Sequence, residues 1–545
     1  MEEKVQILPG CAQAFIEQVI RKMGYRRKIR LEVRRELTDH FLDVLADVED
    51  AADRDRIAAE HVAAFGDAAI LGRLLRRAKK RCRPWWRTAM VRLFQTAAAM
   101  VGLFILYLAW FFSGRPVITT NYIEQFNGMV KPAVNADLNA DPFYRKAFEA
   151  YVKSDEHIAP GPTSMSSLEP DEKESIRRWL EDNESALESA MAGSRQPHYW
   201  PVYKASGDTT EMLAVLLPHL SDHRNIAWAM LWKGRMAAAE GNTDEAIEWS
   251  SAAWRLGRHL TGDRTLIEQL VAFAIASGTA QSVRQALAEN EFDDYVLRRM
   301  QEAFAGQIAE DSFIVSFEGE KMFMYDEIQR SFTTRRIGKS HLYIRRMGHI
   351  APLLGNTEQT AWPKMALRIL FTHPSKEETL KSVEEFYASM DRLRMLAPHQ
   401  QKSAPPQDAA RIEELKRHNL FLDLLAPALE KVVVIGYRVK ADAEAMLTVI
   451  GLLRYERQNG QFPGSLHAAK EAGCLAFVPM DPYTDEPLIY RRTDTGFTLY
   501  STGANGVDNG GKVEFTDRGN LRFWAEQDGD TVFWPVYSTP FRLPL

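Results

Sequence analysis

Leu93 to Gly114 runs for 22 residues, LFQTAAAMVGLFILYLAWFFSG, without one charged side chain. A helix rises about 1.5 Å per residue, so this stretch reaches across a hydrocarbon core about 30 Å thick. Soluble core helices rarely run so far without a charge. Just upstream, Leu71–Arg92 holds Arg73, Arg76, Arg77, Lys79, Lys80, Arg81, Arg83, Arg87 and Arg92 and no acid. Trp85 and Trp86 precede the apolar run, and Trp110, Phe111 and Phe112 lie near its far end, at the depths where aromatic rings sit in a bilayer. Basic flanks stay in the cytosol. The sequence therefore predicts a transmembrane helix over residues 93–114, in contact with lipid, with the N-terminus cytoplasmic and the bulk of the chain periplasmic or extracellular. A single pass across a bacterial inner membrane is expected, because the next apolar candidate, Val432–Val439, is short and interrupted by Arg438.

The remaining composition is that of a water-soluble globular chain. The 545 residues are 46% hydrophobic and 26% charged, which excludes wholesale disorder, collagen and a polytopic transporter. Lys and Arg outnumber Asp and Glu by six over residues 1–92, yet the whole chain is −5, so the rest is acidic. The basic stretch beside an apolar span serves as a cytosolic stop, and no nucleic-acid partner is expected. Of three cysteines, Cys11 and Cys82 precede the span and Cys474 follows it, so the exported part has no internal disulfide. Leu8-Pro9-Gly10-Cys11 has the look of a lipoprotein box. The preceding MEEKVQI carries two glutamates and no apolar run, so no signal peptide is expected.

The fold class expected is mainly α, with a single transmembrane helix, an irregular α-solenoid-like exported domain and a small α+β C-terminal module. Residues 1–92 form the cytosolic helical domain with its basic stretch. Residues 115–200 are a linker with a charged helix from Asp171 to about Ala192, residues 201–440 a helical domain, and residues 441–545 the C-terminal module. In the head, Phe15, Val19 and Ile20 share one helical face, and Leu37, Phe41, Leu42 and Leu45 another. Glu36-Leu37, His40 and the Phe65-Gly66-Asp67 turn, followed by a basic stretch and a span, resemble the small helical signalling or "permease prefix" domain of bacterial membrane proteins. That resemblance implies protein contacts, often with PadR-type regulators.

Asp222–Leu260 reads as two helices split at Gly241-Asn242, with small residues at Gly234, Ala238 and Ala253 for close approach. The Gly241–Ile247 turn resembles a tetratricopeptide hairpin, and a second hairpin is expected over Thr265–Glu289, broken at Ser277-Gly278-Thr279. Trp228, Trp232, Trp249 and Trp254 either line a groove for a peptide or polymer or fill the space between packed helices. His219 and His223 are four residues apart and could face one metal, although no third ligand is visible.

Beyond Asp442 the composition changes. Leu488–Tyr490 and Phe497–Tyr500 flank Asp494-Thr495-Gly496 and read as a β-hairpin. Three groups of residues carry a resemblance to the globular part of type II secretion pseudopilins. They are Tyr455, Gly460, Phe462 and Pro463; then Asp481, Pro482, Tyr483, Pro487 and Leu488; then Leu499, Tyr500, Ser501, Gly503, Asn505 and Gly506. The span lies over 300 residues upstream, without a prepilin leader, so a borrowed module is implied, not a pilin subunit. The resemblance also implies calcium as a candidate cofactor, held by Asn505 and Asp508 with Asp528 or Asp530; the alternative is a loop held by its glycines and hydrogen bonds.

No phosphate-binding loop, His-Glu-x-x-His or Gly-x-Ser-x-Gly is present. The expected function is non-enzymatic: a scaffold or interaction protein with protein partners. Two rivals stand beside it, an exported hydrolase or polymer-binding enzyme within residues 120–440, and a transmembrane regulator acting through the head. A deep pocket holding several acids or histidines with perturbed ionisation would favour the hydrolase.

Overall fold

The computed structural model describes residues 8–81, 85–153, 164–215, 217, 219–308, 313–334, 340–343, 345–346, 373–403, 407–515, 523–524 and 529–537. The described residues are 66% helix, with one three-stranded sheet among them. It divides into two compact units, Met1–Trp110 and Phe111–Leu545.

In the first unit, α1 (Gly10–Met23), α2 (Arg27–Val44), α3 (Ala51–Phe65) and α4 (Ala68–Arg81) enclose a core of their own. The faces legible in the sequence supply it: Phe15, Val19 and Ile20 from α1, Leu37 and Phe41 from α2, and Leu45 just beyond. His40 packs edge-on against Phe65 at 5.3 Å. Then comes α5 (Trp85–Phe111). Its Thr88–Phe111 stretch has a mean hydropathy of 1.8, and none of its most apolar window is buried.

The second unit follows with α6 (Tyr122–Val130), α7 (Asp141–Ala150), α8 (Pro170–Asp182), α9 (Glu184–Ser194), α10 (Leu220–Ala239), α11 (Thr243–Arg258), α12 (Leu266–Glu289), α13 (Asp294–Ala305) and α14 (Glu318–Ser331). After these come α15 (Lys376–Leu393), α16 (Pro398–Ser403), α17 (Gln407–His418), α18 (Leu420–Asn459) and α19 (Leu466–Glu471). The sheet is antiparallel, ordered β1 (Ile489–Arg492), β2 (Phe497–Ser501), β3 (Thr531–Trp534). The β1–β2 hairpin has the expected place, with Arg492 opposite Phe497. A second helix, α12, is also long and apolar enough to cross a membrane, at a mean hydropathy of 1.2, but 67% of its apolar window is buried.

Three local expectations differ from the structure. The charged helix from Asp171 breaks at Asn183, which is fully buried. The Thr265–Glu289 hairpin is one uninterrupted helix: Gly278 makes no turn, and instead leaves the space that the Trp228 ring fills. The boundary at 440/441 falls inside α18, a single helix of 40 residues. This helix contains Gly436 and Gly451, a cost of about 1 kcal/mol each against alanine. Close approach explains both. A Cβ at Gly436 would collide with the Phe313 carbonyl, and one at Gly451 with the Cys474 carbonyl.

Irregular segments are docked onto the helices by side-chain amides that mimic backbone. Asn139 accepts from the Trp200 N–H and donates to the Trp200 carbonyl, both at 3.0 Å. Asn127 does the same to Tyr203, at 2.8 and 3.0 Å. Asn183 so holds Val152, Gln269 holds Ser316, and Gln329 holds Thr120. Each amide satisfies a backbone donor and acceptor, which at the buried Trp200, Tyr203 and Ser316 would otherwise be stranded. Asn139→Asp is expected to destabilise the unit by about 1–3 kcal/mol in urea unfolding, because a carboxylate cannot donate to the Trp200 carbonyl. Asn139→Gln testing equal to Asn139→Asp would show that length, not the donor, matters.

Candidate functional site

Trp200 to Ala205 belong to no helix or strand and are pinned at two points by Asn139 and Asn127. Beside this segment lies a cleft of about 280 Å³, lined by Asp141, Arg145, Tyr199, Pro201, Tyr203, Lys204, Leu217, His219, Leu220, His223 and Glu268 among others. Beside the polar groups of the segment itself, four come from the starts of three helices. Asp141 opens α7, His219 caps α10 with His223 a turn later, and Glu268 sits in the first turn of α12. Asn121, Asn127, Lys131 and Glu124 border a second hollow that shares Pro201 and Val202.

Charges in the cleft are already matched. Asp141 is 5% exposed and pairs with Arg145. Burial pushes its carboxyl above the ordinary range, against the pull of Arg145. Glu268 completes a capping box with Thr265, accepts from the Tyr203 hydroxyl at 2.6 Å and pairs with Arg264. Arg264 also donates to the Tyr203 hydroxyl at 2.9 Å and to the Tyr199 carbonyl, and lies 4.8 Å over the Tyr199 ring. Burial raises both phenols, Tyr199 and Tyr203.

Two histidines here are held neutral by desolvation, His223 buried and His259 half-buried. His259 Nε2 donates to the Gln196 carbonyl at 3.0 Å, so its Nδ1 accepts from the Tyr144 hydroxyl at 2.7 Å. Burial lowers His259 to about 4. His223 shows the opposite tautomer: its Nδ1 donates to the His219 carbonyl at 2.7 Å, and burial lowers it to about 3. Its Nε2, then a bare lone pair, has no hydrogen-bond partner among the described residues. The rings of Tyr144, Phe148 and Tyr199 surround it at 4.7–5.5 Å. His219 does not join His223 at a metal position. It turns to Asp222 at 3.0 Å and stacks on Phe148.

The four tryptophans do not form a groove. Trp232, Trp249 and Trp254 are 3%, 7% and 2% exposed. Trp228 packs against the core that holds Trp232 and Trp249, whereas Trp254 meets Phe304 of α13 and Phe313. In the C-terminal loop, Asn505 Oδ1 accepts from the Val507 N–H. Asp508 accepts from the Gly510 N–H, the Tyr500 hydroxyl and Arg491, while Asp530 accepts from the Asn509 and Gly511 N–H groups. Asp528 lies outside the described residues. No group of three or more His, Cys, Asp or Glu that could hold a metal ion occurs among the described residues.

The Asp481-Pro482-Tyr483 motif is structural. Asp481 ties its own turn at the Tyr483 N–H to the end of β2 at the Thr502 N–H, both at 2.9 Å. The Tyr490 hydroxyl holds the Pro463 carbonyl at 2.7 Å. None of the cleft residues except the His219–His223 pair stood out in the sequence; the Thr265-x-x-Glu268 capping pattern was the available signal. Among known proteins, no family model, no curated protein and no solved structure matches this chain.

Proposed function

We propose that the chain is a single-pass bacterial envelope protein, N-terminus cytosolic, whose exported helical body is a non-enzymatic binding or scaffold module. The state of the cleft carries the non-enzymatic reading. Asp141 and Glu268 are each held by a guanidinium, and His223, at about 3, is too weak a base to work near neutral pH. Recognition is what such a set can do. The single pass is supported by the contrast between the two apolar helices. α5 buries none of its apolar window, whereas α12 buries Glu268, Gln269, Arg284 and Gln285, polar groups with partners in the body. The nine basic residues between Leu71 and the apolar run that starts at Leu93 support the cytosolic N-terminus.

Membrane-impermeant maleimide tests the topology. In intact cells Tyr295→Cys, 57% exposed in the wild type, is expected to label, and Arg76→Cys only after permeabilisation. Equal labelling of both from one side refutes the arrangement.

A hydrolase is the second reading. The observation favouring it is Asp141, a desolvated carboxyl in a cleft, and recovery of a cleaved ligand, abolished in Asp141→Asn, would establish it.

A further inference from the structure

We propose that the cleft beside Trp200–Ala205 binds a small, neutral, hydroxyl-rich molecule of monosaccharide size, held through His223 Nε2 and the Tyr199 hydroxyl. This rests on the binding reading above and names its ligand. The argument is one of unmet demand. Tyr203, Glu268, Arg264, Asp141 and Arg145 satisfy one another, so neither an ammonium nor a carboxylate finds a free counter-charge inside. Lys204, which also lines the cleft, is exposed.

Two cleft groups remain without partners among the described residues: the buried acceptor His223 Nε2 and the Tyr199 hydroxyl. An apolar guest would strip the Tyr199 hydroxyl of water and leave His223 Nε2, already dry, still unpaired. Hydroxyl groups meet both demands, donating to Nε2 and exchanging a hydrogen bond with the phenol. They can also accept from Arg145 and donate to Asp141 without disturbing that pair. Pro201, Leu217 and Leu220 offer an apolar wall to the C–H face of such a ring. The cleft, about 280 Å³, lies at the small end of ligand pockets.

The test uses the detergent-solubilised full chain, titrated calorimetrically with glucose, galactose, N-acetylglucosamine and myo-inositol, and separately with glutamate, glycyl-leucine and galacturonate. Saturable binding of at least one neutral polyol is expected, weakened about tenfold by Tyr199→Phe, which keeps the ring and the packing. His223→Gln, which keeps an acceptor, should bind better than His223→Leu. Binding of glutamate, the dipeptide or the uronate but of no neutral polyol overturns the proposal and leaves the binding module intact. Polyol binding indifferent to Tyr199→Phe and His223→Leu places the ligand elsewhere and overturns it too. If no probe binds, the ligand and the binding reading fall together.

Discussion

Asp442→Ala is expected to destabilise the large unit by about 3–5 kcal/mol, the cost of stranding a buried charge. Asp442 is fully buried in the middle of α18 and pairs with Arg284 of α12 at 2.6 Å, with 3% of the arginine side chain exposed. Arg284 also donates to the Asp442 carbonyl at 3.0 Å, and Ser277 donates to the carboxylate at 2.6 Å. The guanidinium lies 5.6 Å over the Phe533 ring on β3. One carboxylate thus joins two long helices, and its partner touches the sheet. Removing it leaves Arg284 charged, dry and unpaired. Removing both charges avoids that penalty, so Asp442→Leu combined with Arg284→Met is expected to cost less than Asp442→Ala alone. Urea unfolding of the wild type and these two variants measures this, and a loss under about 1 kcal/mol in Asp442→Ala would mean that water reaches the pair.

Asp442 also shows why the domain organisation was only partly legible. A change of composition there suggested a new module, but an acid in an apolar helix marks a buried partner, not a boundary. Arg284 is over 150 residues away in sequence, and no local pattern pairs the two. Local signals did carry through. The alternation around Asp494-Thr495-Gly496 gave the hairpin, and the apolar run before Gly114 gave a helix, which ends at Phe111.

Gly278 was misread because a glycine in a helix has two meanings, a break or a close approach, and only the Trp228 ring distinguishes them. The cleft was hidden for a different reason. Asp141, Tyr199, His223 and Glu268 come from four separate segments, and the segment carrying Tyr199 is held by Asn139 and Asn127, which follow no periodicity. Amide clamps replace strand pairing here, so the sequence shows neither helix nor strand where the site is made. The four tryptophans were conspicuous as residues, but they fill space between packed elements, Trp254 against Phe304 of α13.

Lowering the pH from 7 to 5 is expected to cost the large unit about 4 kcal/mol through His223 and His259. In an unfolded chain each imidazole takes up a proton near pH 6.5. Burial holds the folded values down, to about 3 for His223 and about 4 for His259. Above pH 6.5 neither state binds these protons, and stability does not change. Below it the unfolded chain gains up to two protons that the fold refuses, so stability falls, by about 2 kcal/mol per histidine at pH 5. The loss continues to about pH 4 for His259 and about pH 3 for His223. Asp141 works in the opposite sense: its raised carboxyl is protonated in the fold before it is in the unfolded chain, offsetting part of the loss at the acid end. Against a usual stability of about 5–15 kcal/mol, the effect is large. His259→Gln, in which no imidazole titrates, should remove about half of the pH 7 to 5 decrement in urea unfolding even if it lowers the absolute stability. The same dependence in wild type and variant would mean that His259 is hydrated and charged in the fold, and the neutral network from Gln196 through His259 to Tyr144 would be wrong.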